Sequence, residues 1–147
     1  MKFLCFTGNR ADYYLQLPLL RRIESDKRFE LGLIVTGGIL FEKDKKTLND
    51  IKKDKFNIVG SININSIRGK HSKCIAEVVK ESDEIISFFK PDLCIVYADR
   101  YESFAFSIAS FHSDIPLLHL EAGDITSGGT YDDNIRHCIT KMSHFQC

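Results

Sequence analysis

The chain has 147 residues, a length that suits one domain with a hydrophobic core of its own. Its 20 Lys and Arg residues balance its 20 Asp and Glu residues, which argues against a protein held to nucleic acid or to an anionic membrane by a general basic field. Hydrophobic residues make up 44%, a content that excludes long disorder, and no apolar run approaches the roughly 20 residues of a membrane span.

The cysteine content predicts a reduced protein. The five cysteines are Cys5, Cys74, Cys94, Cys138 and Cys147, an odd number without a C-x-x-C pair. A disulfide framework and a zinc site are both disfavoured, and we expect neither a metal nor a cofactor. The amino terminus carries too short an apolar run for a signal peptide. We therefore expect a cytoplasmic location.

Apolar spacing predicts alternating strands and helices. In chain order, the predictions are a strand at 2–7, a helix at 12–25, a strand at 29–36, a short helix within 42–55, a strand at 56–62, a polar loop at 63–70, a helix at 71–90, a strand at 93–97, a helix carrying Phe104, Ile108 and Phe111, a strand at 116–120, a loop at 122–131, a last helix, and the start of another strand at 143–147. This order predicts an α/β domain whose parallel sheet is covered by helices on both faces.

In such a sheet, ligands bind beyond the carboxyl ends of the strands, so the residues that follow each strand are site candidates. After the first strand, Gly8 permits a tight turn and Arg10 offers a forked donor suited to phosphate. Arg10 is equally well explained as a surface residue beside an N-capping Asp12. The G-x-G-x-x-G and Walker A patterns are absent here, which disfavours a nicotinamide cofactor and a P-loop ATPase.

The second and fourth strands end in further candidates. Gly37 and Gly38 follow the second strand, where they would either admit a ligand close to the backbone or form a plain turn. Asp99, Arg100 and Glu102 follow the fourth strand. An acid and a base in this position are typical of a catalytic site, and they are also typical of a helix cap with a salt bridge.

The fifth strand and the last helix carry more acids. Glu121 ends an apolar strand, where partial desolvation would raise its pKa and suit general acid–base chemistry, unless it is simply solvated. His119, inside the same strand, is more typical of a satisfied core histidine. Asp132 and Arg136 stand four residues apart and would share one side of the helix, although Asp132 and Asp133 also suit helix capping.

Three acids from three segments, Asp99, Glu121 and Asp132, are thus predicted to converge at one edge of the sheet. Arg10 and Arg100 are predicted beside them. Carboxylates that move protons, next to arginines that hold phosphate, indicate chemistry on a phosphorylated or nucleotide-bearing substrate.

Taken together, these motifs resemble the UDP-N-acetylglucosamine 2-epimerase family along the whole chain. The resemblance rests on the order and spacing of segments that are each weak alone: 8–12 (GNRAD), 18–20 (PLL), 34–37 (IVTG), 91–93 (PDL) with 99–100 (DR), 119–123 (HLEAG) and 132–141 (DDNIRHCITK). The last segment most resembles the hydrolysing branch, which forms N-acetylmannosamine and UDP at the start of sialic acid synthesis.

The resemblance implies a fold of two Rossmann-like domains facing a cleft, as in B-type glycosyltransferases. Residues 1–147 would be the N-terminal domain, and a UDP-binding C-terminal domain would lie outside this chain. The family's catalytic acids match Asp99, Glu121 and Asp132, and its substrate-binding arginines match Arg10, Arg100 and Arg136. The resemblance also implies a UDP-sugar substrate and a homodimer or tetramer at full length.

Two positions depart from the family pattern. Leu15 stands where a lysine is common, so any phosphate contact from that lysine is lost or supplied elsewhere. Ala98 stands where glycine is commoner, a change expected to matter little.

The implied mechanism eliminates UDP to give a 2-acetamidoglucal, and water then adds to that glycal. Four alternatives stay open: an epimerase of a UDP-diacetamido-trideoxy sugar on the way to legionaminic acid, a non-hydrolysing epimerase, a B-type glycosyltransferase, and a non-catalytic nucleotide-sugar-binding fragment. A receiver domain is disfavoured because the first strand does not end in an acid pair. The isolated half is expected to show little or no turnover.

Overall fold

Strands and helices alternate in the computed structural model, which describes residues 1–41 and 45–147. The strands of these ranges are β1 (Lys2–Thr7), β2 (Glu30–Thr36), β3 (Ile58–Ile62), β4 (Leu93–Tyr97), β5 (Leu117–Leu120) and β6 (Phe145–Gln146). The helices of the same ranges are α1 (Arg10–Glu24), α2 (Gly37–Phe41), α3 (Lys46–Lys53), α4 (His71–Phe89), α5 (Tyr101–His112) and α6 (Tyr131–Met142), and a 3-10 turn spans Asn65–Ile67.

The strands form one parallel sheet in the order β3-β2-β1-β4-β5-β6. The chain winds outward from β1 in one direction and from β4 in the other, so these two central strands mark the point where the winding reverses. Their ladder ends at the pair Cys5–Ile95. Beyond it, β1 continues beside β2 and β4 continues beside β5. The two strands therefore separate at their carboxyl ends, where a crevice opens.

Each face of the sheet packs against its own set of helices. On one face, Tyr13 and Leu20 of α1 and Ile51 of α3 form a buried cluster with the sheet. On the other face, α4, α5 and α6 pack together, and Phe106 of α5 stacks on Phe6 of β1 at 4.9 Å between ring centroids. The predicted fold class is confirmed. In the described ranges, no helix is both long enough and apolar enough to cross a membrane.

Most predicted elements are present, with shifted boundaries. The strand predicted at 56–62 begins at Ile58, and the polar segment at 63–70 includes the short 3-10 turn. The helix predicted within 42–55 is α3, whereas its first predicted residues, 42–44, lie outside the described part of the chain. Helix α1 begins at Arg10 because Asn9 caps it through its side chain.

One of the two interpretations of the glycine pair after β2 is wrong. Gly37 and Gly38 do not form a plain turn, because they begin the short helix α2. The helix predicted to carry Phe104, Ile108 and Phe111 is confirmed as α5, although Phe111 is 46% exposed, whereas Ala105 and Phe106 are fully buried. The buried side of α5 consists mostly of alanine and serine, which let this helix lie close to its neighbours and which hydropathy alone does not mark.

Candidate active site

A cleft of about 460 Å³ lies at the carboxyl edge of the sheet, where β1 and β4 separate. It is lined by Asn9, Ala11, Asp12, His71, Tyr97, Ala98, Asp99, Arg100, Tyr101, Tyr131 and Asp132. The cleft thus draws on the turns after β1 and β4 and on the first turns of α1, α4, α5 and α6. This is the place where an open parallel sheet binds its ligands.

Asn9 and Asp12 build the β1 side of the cleft. The Asn9 side chain is the N-cap of α1: its Oδ1 accepts a bond from the Asp12 backbone N–H at 3.0 Å, and its Nδ2 donates to Asp12 Oδ1 at 2.7 Å. Asp12 is therefore the third residue of the helix rather than its cap. Its other oxygen accepts from the Gly8 backbone N–H at 3.3 Å. The Asn-x-x-Asp spacing was the sequence signal for this reciprocal pair.

Asp12 is a buried acid at the wall of the cleft. Only 4% of the residue is exposed, and this burial raises its pKa to about 6. The Gly8 N–H, the Arg100 charge and the Asn9 side chain oppose the increase, and the negative charge of Glu102 adds to it. Asp12 is a site residue that the sequence analysis treated only as a possible cap.

We expect Asp12→Asn to act in opposite directions at two pH values: it should raise the free energy of unfolding by about 1 kcal/mol at pH 7 and lower it by about 1 kcal/mol at pH 4.5. Between the unfolded pKa, near 4, and the folded value of about 6, the native protein binds the extra proton, so stability falls as pH rises. A pKa of about 6 against about 4 corresponds to roughly 3 kcal/mol at pH 7 and about 1 kcal/mol at pH 4.5. About 2 kcal/mol is subtracted at both pH values, because the Asn side chain has one acceptor oxygen for two donors, the Gly8 N–H and Asn9 Nδ2.

Urea unfolding of both proteins at the two pH values tests this prediction. The exposed Asp114 supplies a matched control, since Asp114→Asn should leave the difference between the two pH values as it is in the unmodified protein. An equal effect of Asp12→Asn at both pH values would mean that Asp12 titrates normally.

Asp99 begins the β4 side of the cleft and is paired with Arg136. It follows Ala98, whose φ of 54° lies in the left-handed region that alanine seldom adopts. Arg136 Nη2 donates to Asp99 Oδ2, while Nη1 donates to the Asp124 carbonyl at 2.9 Å and to Asp133 Oδ1 at 3.2 Å. The guanidinium is thus shared among three oxygen partners on three segments. Only 14% of the Arg136 side chain is exposed, so it lies behind Asp99 rather than in the cleft lining.

The two acids at the start of α6 have different environments. Thr130 is the N-cap, and it forms a capping box with Asp133: the Asp133 N–H donates to Thr130 Oγ1, and the Thr130 N–H donates to Asp133 Oδ2. Hydrogen bonds from Thr126 and Thr130 hold the pKa of Asp133 below its ordinary value. Asp133 is therefore a capping residue, whereas Asp132 is exposed and lines the cleft.

Glu121 corrects one expectation from the sequence. It is exposed rather than desolvated, because its φ of 58° turns the chain out of the sheet immediately after β5. Burial and, after it, the nearby Glu121 carboxylate raise the pKa of the Tyr97 hydroxyl. Glu121 itself lies outside the cleft lining, but its partner Tyr97 is part of it.

The arginines are placed differently from one another. Arg10 is the exposed first residue of α1 and lies outside the cleft lining. Arg100 lines the cleft, and its Nε and Nη2 donate to the two carboxylate oxygens of Glu102 at 3.2 and 3.3 Å. Although burial lowers the pKa of Arg100, the charge of Glu102 keeps it above its ordinary value. A salt bridge is thus present after β4, although it joins Arg100 to Glu102 rather than to the neighbouring Asp99, and no side chain of the described ranges caps α5.

Gly37 provides space for this salt bridge. Its φ is +53°, and a Cβ at this position would lie 2.7 Å from the Gly8 carbonyl oxygen and 2.8 Å from Glu102 Oε1. The Glu102 side chain is 1% exposed and packs against this bare backbone. The close approach expected at this glycine pair is therefore made by the protein's own carboxylate rather than by a ligand.

His119 is a fully buried histidine with both ring nitrogens hydrogen-bonded. Nε2 lies 2.7 Å from the Ala98 carbonyl oxygen, and Nδ1 lies 3.1 Å from Thr140 Oγ1. Burial lowers its pKa. The interpretation as a satisfied core histidine is confirmed.

The structure brings together part of the predicted set. Asp99, Arg100 and Asp132 share the cleft, whereas Arg136 stands behind Asp99, and Glu121 and Arg10 lie outside the lining. The sequence analysis missed the aromatic wall formed by His71, Tyr101 and Tyr131, in which the His71 and Tyr101 rings stack at 4.5 Å. Among residues 1–41 and 45–147, no group of three or more His, Cys, Asp or Glu side chains is arranged to hold a metal ion.

This cleft offers both charge types that nucleotide-sugar chemistry requires. Arg100 is a fixed cation suited to phosphate oxygens, and the amino-terminal turn of α1 adds backbone N–H groups beside it. Asp99 and Asp132 are carboxylates within the same space. The aromatic rings of His71 and Tyr101 in the same lining suit the apolar face of a sugar.

Comparison with known families and relatives gives a consistent picture. Residues 21–147 match the family model for UDP-N-acetylglucosamine 2-epimerase. The chain is 35% identical over 147 residues to the UDP-N,N'-diacetylbacillosamine 2-epimerase (hydrolyzing) of Legionella pneumophila. The matched region covers 98% of this chain and 38% of the Legionella protein.

Solved structures share the fold. The structure of a UDP-N-acetylglucosamine 2-epimerase homologue from Listeria monocytogenes superimposes with a TM-score of 0.86 at 20% identity, over 99% of this chain and 38% of the other. The Neisseria meningitidis UDP-GlcNAc 2-epimerase bound to UDP-GlcNAc superimposes with a TM-score of 0.84 at 20% identity, over 97% of this chain and 39% of the other. The chain thus spans well under half the length of the proteins it matches.

Proposed function

Because the chain belongs to the UDP-N-acetylglucosamine 2-epimerase family, we propose that it is the N-terminal Rossmann-like domain of a hydrolysing epimerase. The complete enzyme would convert UDP-N-acetylglucosamine and water to N-acetylmannosamine and UDP. A C-terminal domain that binds UDP would close the cleft from the opposite side. The shared cleft of Asp99, Asp132 and Arg100 is the observation that carries this proposal, since it places candidate proton-transfer groups beside a phosphate-binding cation.

The reaction has two steps. In the first, a carboxylate takes the proton from sugar C2 while the C1–O bond breaks, so that UDP leaves with the bond electrons and a 2-acetamidoglucal forms. In the second, water adds its oxygen to C1, and a proton is delivered to C2 on the opposite face of the ring. The C2 proton is very weakly acidic, so the first step depends on stabilising the charge that develops on the departing diphosphate.

We assign the proton transfers to Asp99 and Glu121, with Asp132 assisting or orienting them. Arg10, Arg100 and Arg136 are assigned to the substrate and its diphosphate. The position of Arg100 in the cleft supports its assignment directly, and the Arg136–Asp99 ion pair supports a role for Arg136 in orienting the acid. Glu121 lies close enough to Tyr97, a residue of the cleft lining, to raise the pKa of its hydroxyl.

The substrate assignment draws on two relatives. The Neisseria meningitidis protein was solved with UDP-GlcNAc bound, and the Legionella pneumophila protein is named as a hydrolysing epimerase of UDP-N,N'-diacetylbacillosamine. The second candidate function is therefore hydrolytic epimerisation of a UDP-diacetamido-trideoxy sugar. We further propose a homodimer or tetramer at full length, and a cytoplasmic location that suits the buried thiols of Cys5, Cys74 and Cys94.

Proton NMR of the full-length gene product with UDP-N-acetylglucosamine in heavy water tests the function. We expect free UDP and N-acetylmannosamine with deuterium at C2. UDP-N-acetylmannosamine as the product would instead identify a non-hydrolysing epimerase. If this sugar is inert, release of UDP from the diacetamido sugar would select the second candidate. Binding of both sugars without turnover or C2 exchange would contradict an epimerase and support a binding protein.

A further inference from the structure

We propose that His119 and Thr140 form a buried positioning pair that fixes the three carboxylate-bearing segments of the site relative to one another. The proposal rests on the proposed function for its catalytic consequence, whereas the contacts themselves stand independently of it. The segments are the turn at Asp99, the end of β5 at Glu121, and helix α6 with Asp132.

The contacts of the pair reach all three segments. His119 Nε2 lies 2.7 Å from the carbonyl oxygen of Ala98, the residue before Asp99. His119 Nδ1 lies 3.1 Å from Thr140 Oγ1, on α6. The same hydroxyl oxygen accepts the Gly123 backbone N–H at 3.1 Å, two residues after Glu121. One imidazole and one hydroxyl thus contact all three segments, in addition to the backbone bond from the Ala98 N–H to the Leu120 carbonyl.

Hydrogen-bond accounting places a proton on Nε2 of His119, and burial of the ring favours its neutral form. The Ala98 carbonyl can only accept, so His119 Nε2 carries a proton. Thr140 has one hydroxyl proton, and its two acceptors are Nδ1 and the Arg136 carbonyl at 2.9 Å. Burial lowers the pKa of the ring and outweighs the hydrogen bond to the Ala98 carbonyl, which favours the protonated form. In the neutral ring with Nε2–H, Nδ1 is an acceptor, so Nδ1 and the Arg136 carbonyl share the Thr140 hydroxyl proton.

The turns held by this pair are conformationally demanding. Ala98 and Glu121 both have a positive φ, 54° and 58°, which costs a non-glycine residue free energy and persists only where neighbouring contacts determine it. Each lies within two residues of a His119 or Thr140 contact. The ion pair of Arg136 with Asp99 adds a second link between α6 and the Asp99 turn. His119 is fully buried, so it acts through these residues and does not touch the substrate.

The contacts can be tested without substrate in the full-length protein. In nitrogen-15 NMR of the histidine rings at pH 7, His119 should be neutral with the proton on Nε2, and the exposed His137 serves as the reference ring. Thr140→Val removes the hydroxyl at nearly constant volume and should speed hydrogen exchange of the Gly123 amide at least about 10-fold. Thr140→Ser keeps the hydroxyl and should stay within about 3-fold of the unmodified protein.

The catalytic consequence is tested with the UDP-sugar that the protein turns over. Thr140→Val and His119→Gln should each lower kcat about 10- to 100-fold while KM changes less than about 3-fold, because small displacements of reacting groups affect rate more than binding. Thr140→Ser should restore most of kcat. His137→Gln, on the exposed side of α6, is the matched control and should leave kcat unchanged.

Four results would overturn the proposal, two of them structural and two kinetic. Unchanged Gly123 exchange in Thr140→Val, or a His119 ring protonated on Nδ1 alone, would show that the pair does not hold these segments. Faster exchange together with undiminished kcat in both variants, or an effect on KM alone, would show that the pair does not position the acids. Absence of turnover in the unmodified protein would count against the proposed function, and the exchange comparison would still decide whether the pair holds the segments.

Discussion

Asp99→Asn in the full-length protein is expected to lower kcat for UDP release by about 10²- to 10⁴-fold, the usual contribution of a positioned general base. Asparagine has nearly the same shape as aspartate and retains an oxygen that can accept from Arg136, but it cannot take the C2 proton. Arg136 also keeps its bonds to Asp133 and to the Asp124 carbonyl, so we expect the fold and the affinity for UDP to be preserved.

Three measurements test this prediction and distinguish proton transfer from binding: kcat, deuterium incorporation at C2, and calorimetric titration with UDP. Asp114→Asn is the matched control, because Asp114 is an exposed aspartate between α5 and β5, at the opposite edge of the sheet. Its φ of 58° is one that asparagine tolerates well. Undiminished C2 exchange in Asp99→Asn would remove Asp99 from proton transfer, and lost UDP affinity would instead indicate a binding role.

Gly37→Ala should have the largest effect on stability, a loss of about 2–4 kcal/mol. The left-handed φ accounts for about 1–2 kcal/mol of this loss. The rest arises because the new methyl group would lie 2.7 Å from the Gly8 carbonyl oxygen. This oxygen belongs to the backbone directly after the central strand β1, which cannot move aside easily. Displacement of Glu102 should also loosen Arg100 and weaken UDP binding in the full-length protein.

Gly69→Ala separates the two contributions. Gly69 also has a positive φ, +81°, but no described atom lies within 4 Å of the position that its Cβ would occupy. This variant should lose only the conformational part, about 1–2 kcal/mol. Urea unfolding of the two variants therefore measures the close contact by difference, and equal losses would show that the contact at Gly37 is relieved at little cost.

Local patterns predicted the fold well because they depend on neighbouring residues. Helix α4 and strand β4 lie where spacing and apolar runs placed them. The departures involve tertiary contacts. Helix α2 begins at two glycines, which have a low helix propensity, and α5 buries small residues in a tight helix interface.

The site was predictable only as far as strand ends define it. The rule that ligands bind at the carboxyl edge led to Asp99 and Arg100, both of which line the cleft. It could not show that Glu121 turns outward, since that depends on a left-handed φ. The rule also could not identify His71, because it considers strand ends. His71 instead begins helix α4, whose position at the cleft depends on how the polar segment 63–70 folds. Asp12 was visible as a residue, but its burial depends on packing.

The separation of β1 from β4 also has a consequence for the order of folding. Leu4 pairs with Cys94, about 90 residues later, whereas the pairs of β1 with β2 and of β4 with β5 span fewer than about 30 residues. Closing the longer loop costs about 1 kcal/mol more entropy, so each half of the sheet can form with its own helices before the halves dock. The cleft does not exist within either half. The docking step that completes the sheet is therefore also the step that assembles the site.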